Sequence, residues 1–192
     1  MKKEIITIAG ANGSGKSSTA RKVAVELDFK HLSSGDLMRQ IAKENNVTLE
    51  ELSKIAEKEN GVDKKLDDYV KQAGMENKVV IDSRLAFHFI PESFKVYLDL
   101  DTKIAAERML NDMKNNPARH IENEVKIESV EEMAEKSAKR LASERKRYFD
   151  LYGIENHTDH KNFDLIVDTN KNNLEQVVSI VLKEYKRWRE EK

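Results

Sequence analysis

Apolar residues recur along the chain with two alternating periods. The run Glu4-Ile5-Ile6-Thr7-Ile8-Ala9 is rich in β-branched residues and reads as a buried strand. Ala20, Val23, Ala24 and Leu27 then recur at helical spacing. Residues 29–32 form a short candidate strand, broken by Ser33-Ser34-Gly35-Asp36, where Asp36 can cap the next helix. Leu37 and Ile41 begin an apolar stripe that Asn45-Asn46 interrupts. Thr48-Leu49-Glu50-Glu51 has capping-box form, with Leu49, Leu52, Ile55 and Ala56 on one face behind it and Asn60-Gly61 as its end. Another helix runs through Leu66, Tyr69, Val70 and Ala73, with Gly74 as a C-cap.

Residues 78–82 and 94–100 are predicted strands, and Thr102 is placed to cap a helix through Ile104, Ala105, Arg108 and Met109. From 111 to 128, Asn115-Asn116-Pro117 and scattered charges replace the periodic pattern and predict a mobile loop. Ser129-Val130-Glu131-Glu132 is a second capping box, opening a long helix through Met133, Ser137, Leu141 and Tyr148. Residues 163–168 are a last strand, and Leu174, Val177, Val178, Val181, Tyr185 and Trp188 stripe a final helix. Five strands alternating with helices predict an α/β domain whose mainly parallel sheet is covered on both faces. Ligands in such sheets bind beyond the carboxyl ends of the strands.

One stretch at such an end carries specific chemistry. Gly10-Ala11-Asn12-Gly13-Ser14-Gly15-Lys16-Ser17 satisfies G-x-x-x-x-G-K-[ST], the phosphate-binding P-loop, and it lies between a predicted strand and a predicted helix as that motif requires. Its glycines let backbone N–H groups close round a polyphosphate, and the helix that follows, opening through Ser17 and Ser18, turns its partly positive end to the same phosphates. Lys16 can place a cation near the β- and γ-phosphates, and the Ser17 hydroxyl can ligate Mg²⁺. A nucleoside triphosphate such as ATP is the expected ligand, with Mg²⁺.

Composition narrows the rest. The 192 residues suit one α/β domain with a small inserted subdomain, and 39% hydrophobic residues support a core. The formal net charge of −1 gives no global sign of a nucleic-acid or membrane-surface protein. With no cysteine, disulfides and Cys-ligated zinc are excluded. The five histidines form no evident metal site; His157 and His160, in a polar stretch, are expected to be solvated. No apolar run reaches membrane length, and the N-terminus leads straight into the first strand, so a cytoplasmic protein is expected.

Phosphoryl transfer needs positioning and cations more than covalent chemistry. Arg39 and Arg84, on separate loops, suit bidentate contacts to an acceptor phosphate. Arg140, Arg145 and Arg147 lie beside the predicted mobile loop, where they can close over the donor; 140 and 147 share a helical face that 145 does not. The structural alternatives are an Asp36 that is only a helix cap, a solvated Arg39, an ion-paired Arg84 and an exposed amphipathic face at 139–147.

These blocks carry a resemblance. The chain resembles the nucleoside monophosphate kinases, most closely the short cytidylate kinases typical of archaea, through GANGSGKSS, SSGDLMRQIAKENNVTLEELSKIAEKE, DSRLA after the third strand, and ERKRYFDLYGI. The resemblance implies a P-loop three-layer α/β/α fold with strand order 2-3-1-4-5, a monophosphate-binding insertion at about 34–76 and a lid at about 110–147. It implies monophosphate roles for Ser34, Asp36, Arg39 and Arg84, and donor and transition-state roles for Arg140, Arg145 and Arg147. Asp63 and Asp67, four apart on one helix, fall near the base pocket it implies and can accept from the exocyclic amine of cytosine; solvated acids balancing Lys64 and Lys65 are the alternative. The expected substrate is CMP, with dCMP accepted and UMP poorer, and the expected partner is a small molecule acted on by a monomer. The chain departs from the family pattern at Asp82-Ser83-Arg84, where Gly is expected in place of Ser83, at Asp68-Tyr69, and in the length of 111–128. A hydroxyl kinase using Asp36 as base, a GTP switch suggested by Asn170-Lys171-Asn172-Asn173, and a regulatory nucleotide-binding module are the other classes.

Overall fold

The computed structural model describes residues 2–59, 61–115 and 127–191, which divide into two compact units. The first comprises 1–35, 67–100 and 158–192; the second comprises 36–66 and 101–157. Two of the divisions fall inside helices, α2 (Ser34–Glu44) and α4 (Gly61–Ala73).

The first unit is built on five parallel strands in the order β2-β3-β1-β4-β5, as the resemblance implies: β1 Ile5–Gly10, β2 Lys30–Ser33, β3 Val79–Asp82, β4 Phe94–Asp99 and β5 Leu165–Asp168. Successive residues of a strand face opposite sides, so β1 supplies two cores. Ile6 and Ile8 pack with Val80, Val96 and Leu98 against α1 (Lys16–Leu27) and α8 (Leu174–Glu190). Ile5, Val79 and Ile81 pack with Val70, Ala73, Ala86 and Ile90, supplied by the end of α4 and the α5 segment (Ala86–Phe89 and the residue after it). Both faces are therefore covered, and the central strands β1 and β3 are buried along their whole length. The register aligns Ser33 with Asp82 and Gly10 with Leu98, setting the P-loop, Asp82 and the start of α2 at the carboxyl ends of neighbouring strands.

The second unit contains α3 (Leu49–Lys58), α6 (Thr102–Asn115) and α7 (Val130–Tyr152). Its cores are Ile41, Ala42, Leu52, Ala56 and Val62, and Ala106, Leu110, Met113, Ile127 and Met133. Both predicted capping boxes are present, Thr48 with Glu51 and Ser129 with Glu132.

The structure corrects several expectations. Residues 111–115 belong to α6 rather than to a loop, because Met113 completes the apolar stripe begun by Ala106 and Leu110; residues 116–126 of the expected loop lie outside the described residues. Asp101, not Thr102, caps α6, its carboxylate accepting from the N–H groups of Lys103 and Ile104. Helix α2 starts at Ser34 directly after β2, so Asp36 lies in its first turn instead of capping it. Gly74 follows α4 without a left-handed φ. Its value is steric, since a Cβ there would stand 2.9 Å from Ile90 Cγ1. His157 is 4% exposed and packs edge-on against Tyr148, whereas His160 is exposed as expected.

Candidate active site

The P-loop geometry follows from its glycines. Gly10 has φ +147° and Gly15, the residue before α1, has φ +84°. A Cβ on Gly10 would stand 2.5 Å from the Leu98 carbonyl oxygen and 2.9 Å from Ser14 Oγ, so only glycine lets the chain leave β1 here. The Ser14 hydroxyl is buried and makes no hydrogen bond within the protein. Lys16 donates from Nζ to the Ala11 carbonyl at 2.7 Å, folding its cation back over the loop.

Asp82, at the end of β3, is the centre of a polar cluster; the sequence places it at a strand end but assigns it no role. It is 4% exposed; Ser33 Oγ lies 3.1 Å from its Oδ1 and His31 Nε2 lies 3.2 Å from its Oδ2. Burial opposes its ionisation. Hydrogen bonds with His31 and Ser17 and the charge of Lys16 outweigh this and hold its carboxyl below the usual carboxylate range. The available signal was an acid at the last position of a buried strand that neighbours the P-loop strand, the place of the metal-side Asp in P-loop enzymes. The serine hydroxyl on this ionised carboxylate, the buried Ser14 hydroxyl and the glycine-only cradle together suit a Mg²⁺-polyphosphate. Ser17 and Asp82 are the residues that would hold the metal, and Gly10, Ala11, Asn12, Gly13, Ser14, Gly15 and Ser18 are the residues expected to surround a bound phosphate.

Arg84, two residues beyond β3, donates from Nη2 to Asn12 Oδ1 at 2.7 Å. The arginine expected on the acceptor side is thus tied to the P-loop. Ser34 Oγ is buried without a hydrogen bond, and Asp67, on α4, is 8% exposed.

The remaining expected residues lie in the second unit. Asp36 is exposed and pairs with Arg39 one turn on. Along α7, Arg140 donates from Nε to Glu144 Oε1 at 2.9 Å, and Arg145 turns to Asn156. Arg147 Nε lies 3.2 Å from Asp63 Oδ2. Asp63 is 5% exposed and so is not a solvated acid. Although close, Arg147 Nε and Asp63 Oδ2 make no hydrogen bond, to each other or to any other protein atom. Burial raises the Asp63 carboxyl above its ordinary value, the Arg147 charge opposes that, and Glu144 adds to it. The structure therefore pairs Arg147 with Asp63 and Arg145 with Asn156.

A glycine-bound phosphate loop, an ionised strand-end aspartate and an arginine at the loop's edge on a parallel 2-3-1-4-5 sheet define a P-loop kinase. Solved structures bear out the fold: a shikimate kinase from Acinetobacter baumannii superposes with a TM-score of 0.62 at 17% identity, covering 98% of this chain and 96% of its own. The domain family described as "AAA domain" matches residues 9–128. The chain is 33% identical over 183 residues to a cytidylate kinase of Methanosphaera stadtmanae, covering 93% of this chain and 96% of that one. It is 38% identical over 178 residues to a cytidylate kinase of Pyrococcus furiosus, covering 92% and 85%. The chain belongs to the cytidylate kinase family.

Proposed function

We propose that the protein transfers the γ-phosphoryl group of ATP to CMP, giving CDP and ADP, and accepts dCMP in the same way. A phosphate oxygen of the monophosphate forms the new bond to the γ-phosphorus. The bond from that phosphorus to the bridging oxygen breaks, and the electron pair leaves with ADP. Lys16 and the loop N–H groups meet charge on the donor, Arg39 and Arg84 hold the acceptor phosphate, and Arg140 and Arg145 serve the donor side. Bound Mg²⁺ would neutralise charge on the β- and γ-oxygens, held by Ser17 and Asp82. The reading is of a cytoplasmic monomer acting on small molecules; among the described residues no helix is long and apolar enough to cross a membrane.

The observation that carries the choice of base is the buried Asp63–Arg147 pair. Cytosine presents an amine donor beside ring and carbonyl acceptors, whereas uracil presents a carbonyl in place of the amine. A carboxylate beside a guanidinium matches the first edge and repels the second. This moves Arg147 from the donor side, where the resemblance set it, to the base side, with Asp63 as its partner and Asp67 and Ser34 beside the monophosphate. A polar group left unsatisfied typically costs about 1–3 kcal/mol, or roughly five- to a hundred-and-fifty-fold in discrimination. The test is kcat/KM for CMP, dCMP, UMP, AMP and GMP with ATP and Mg²⁺. CMP should lead, with dCMP close behind. AMP as the best acceptor would overturn the choice of base, and ATP hydrolysis indifferent to any monophosphate would overturn the kinase reading.

A further inference from the structure

We propose that Asn12 is a positioning residue for the acceptor phosphate, acting through Arg84; the proposal rests on the monophosphate kinase reading. Asn12 occupies one of the unspecified positions of the P-loop pattern, so the motif itself asks nothing of its side chain. The loop grips phosphate with backbone N–H groups, and Asn12 has no left-handed φ that would require an amide side chain. Yet its Oδ1 accepts from Arg84 Nη2 at 2.7 Å, across 72 residues of sequence, with both residues half-buried.

The chemistry of this contact is specific. A free arginine side chain samples many rotamers, and fixing one costs on the order of 2 kcal/mol. A bond from a rigid neighbour meets that cost before substrate arrives, so the guanidinium is already aimed. Asn12 contacts it through an amide, which takes one of the five guanidinium N–H donors and does not itself neutralise the charge. A carboxylate at the same place would neutralise that charge and set a like charge beside the donor phosphates. Because Asn12 belongs to the loop that holds the donor, its bond to Arg84 also fixes the acceptor clamp relative to the donor. An in-line transfer needs that relation, since misplacement of reacting groups by about 1 Å can cost roughly a hundredfold.

The experiment is a double-mutant cycle on the full chain with Asn12→Ala, Arg84→Ala and the double variant, reading KM for CMP, KM for ATP and kcat, with Asn12→Asp as a fourth protein. Asn12→Ala should raise the KM for CMP about tenfold, the effect of one long side chain left to be ordered by substrate. The KM for ATP should change far less than that for CMP, because the loop meets phosphate with backbone N–H groups. In the Arg84→Ala background, Asn12→Ala should add nothing to the KM for CMP, because the group it acts through is gone. Asn12→Asp keeps the shape and the acceptor but adds a charge, so it should be worse than Asn12→Ala. Additive effects of the two substitutions, or a rise confined to the KM for ATP, would overturn the proposal and leave the kinase reading standing. A wild-type enzyme without CMP turnover would overturn both. Calorimetric titration of CMP gives the same cycle without turnover, and the same non-additivity is expected there.

Discussion

Replacing Gly10 with alanine tests whether the phosphate loop is held by steric necessity or by backbone preference alone. Two costs add at this position. The φ of +147° lies in a region that side chains with a Cβ rarely adopt, worth about 1–3 kcal/mol. The new Cβ would stand 2.5 Å from the Leu98 carbonyl oxygen, and that oxygen belongs to a neighbouring strand that cannot swing aside. Overpacking of this kind costs about 1–3 kcal/mol more. The expected total is about 2–6 kcal/mol, against a usual domain stability of about 5–15 kcal/mol. Gly15 supplies the control. It has φ +84°, but nothing lies within 4 Å of the place a Cβ would take, so Gly15→Ala should cost only about 1–2 kcal/mol of backbone strain. The assay is urea denaturation of both variants, followed by far-ultraviolet circular dichroism and by fluorescence of Trp188. That residue is the chain's single tryptophan and packs in the core beside Phe94. Gly10→Ala should lose clearly more stability than Gly15→Ala. Equal losses, or a Gly10→Ala variant within about 0.5 kcal/mol of wild type, would refute the steric account.

Lys16→Met should lower kcat by roughly a hundred- to a thousandfold while the thermal midpoint stays near wild type, since the Lys16 side chain folds over the loop rather than into the core; near-normal turnover would reject its role. Asp63→Asn should narrow the ratio of kcat/KM for CMP over UMP more than it slows CMP itself, and an unchanged ratio would remove Asp63 from base selection. Asp82 is held below the usual carboxylate range, so its stabilisation is present above about pH 4, the ordinary aspartate value, and is lost as pH falls through its folded value. Urea stability measured downward from pH 6 should therefore fall less steeply for Asp82→Asn than for wild type; parallel curves would show that Asp82 contributes no such linkage.

Much of this architecture is legible in the chain itself. Ile5, Ile6 and Ile8 announce a strand buried on both faces, and the glycines that follow announce the turn to a phosphate. The capping boxes at Thr48 and Ser129 are local chemistry and stand where the sequence puts them. The features that the sequence hides depend on tertiary contacts. The polar segment around Asn115 conceals a helix end because one residue, Met113, finds an apolar cluster including Ile127 and Met133. His157 reads as solvated by its neighbours in sequence, yet it packs against Tyr148, nine residues back. The short helix Ala86–Phe89 and the 3₁₀ turn His160–Asn162 fall below the length at which periodicity can be seen. The candidate site divides in the same way. The P-loop is plain from spacing, whereas the hydrogen-bond network of Asp82 requires the register that sets β2 beside β3.

The cations expected to serve the site differ in their partners. Lys16 and Arg84 are held by an uncharged carbonyl and an uncharged amide. Such a bond orients a cation without cancelling its charge, and a phosphate oxygen can replace it with a stronger, charge-assisted bond. Arg140 and Arg147 instead face carboxylates, Glu144 and Asp63, that are themselves buried. Arg140 is itself exposed, but removing Asp63 would leave the largely buried Arg147 charge uncompensated, so that pair is not readily given up to a mobile anion. Arg147, largely buried against a buried acid, thus supports the proposal that it reads the base together with Asp63. Arg145 donates to the side-chain amide oxygen of Asn156, an uncharged partner like that of Arg84.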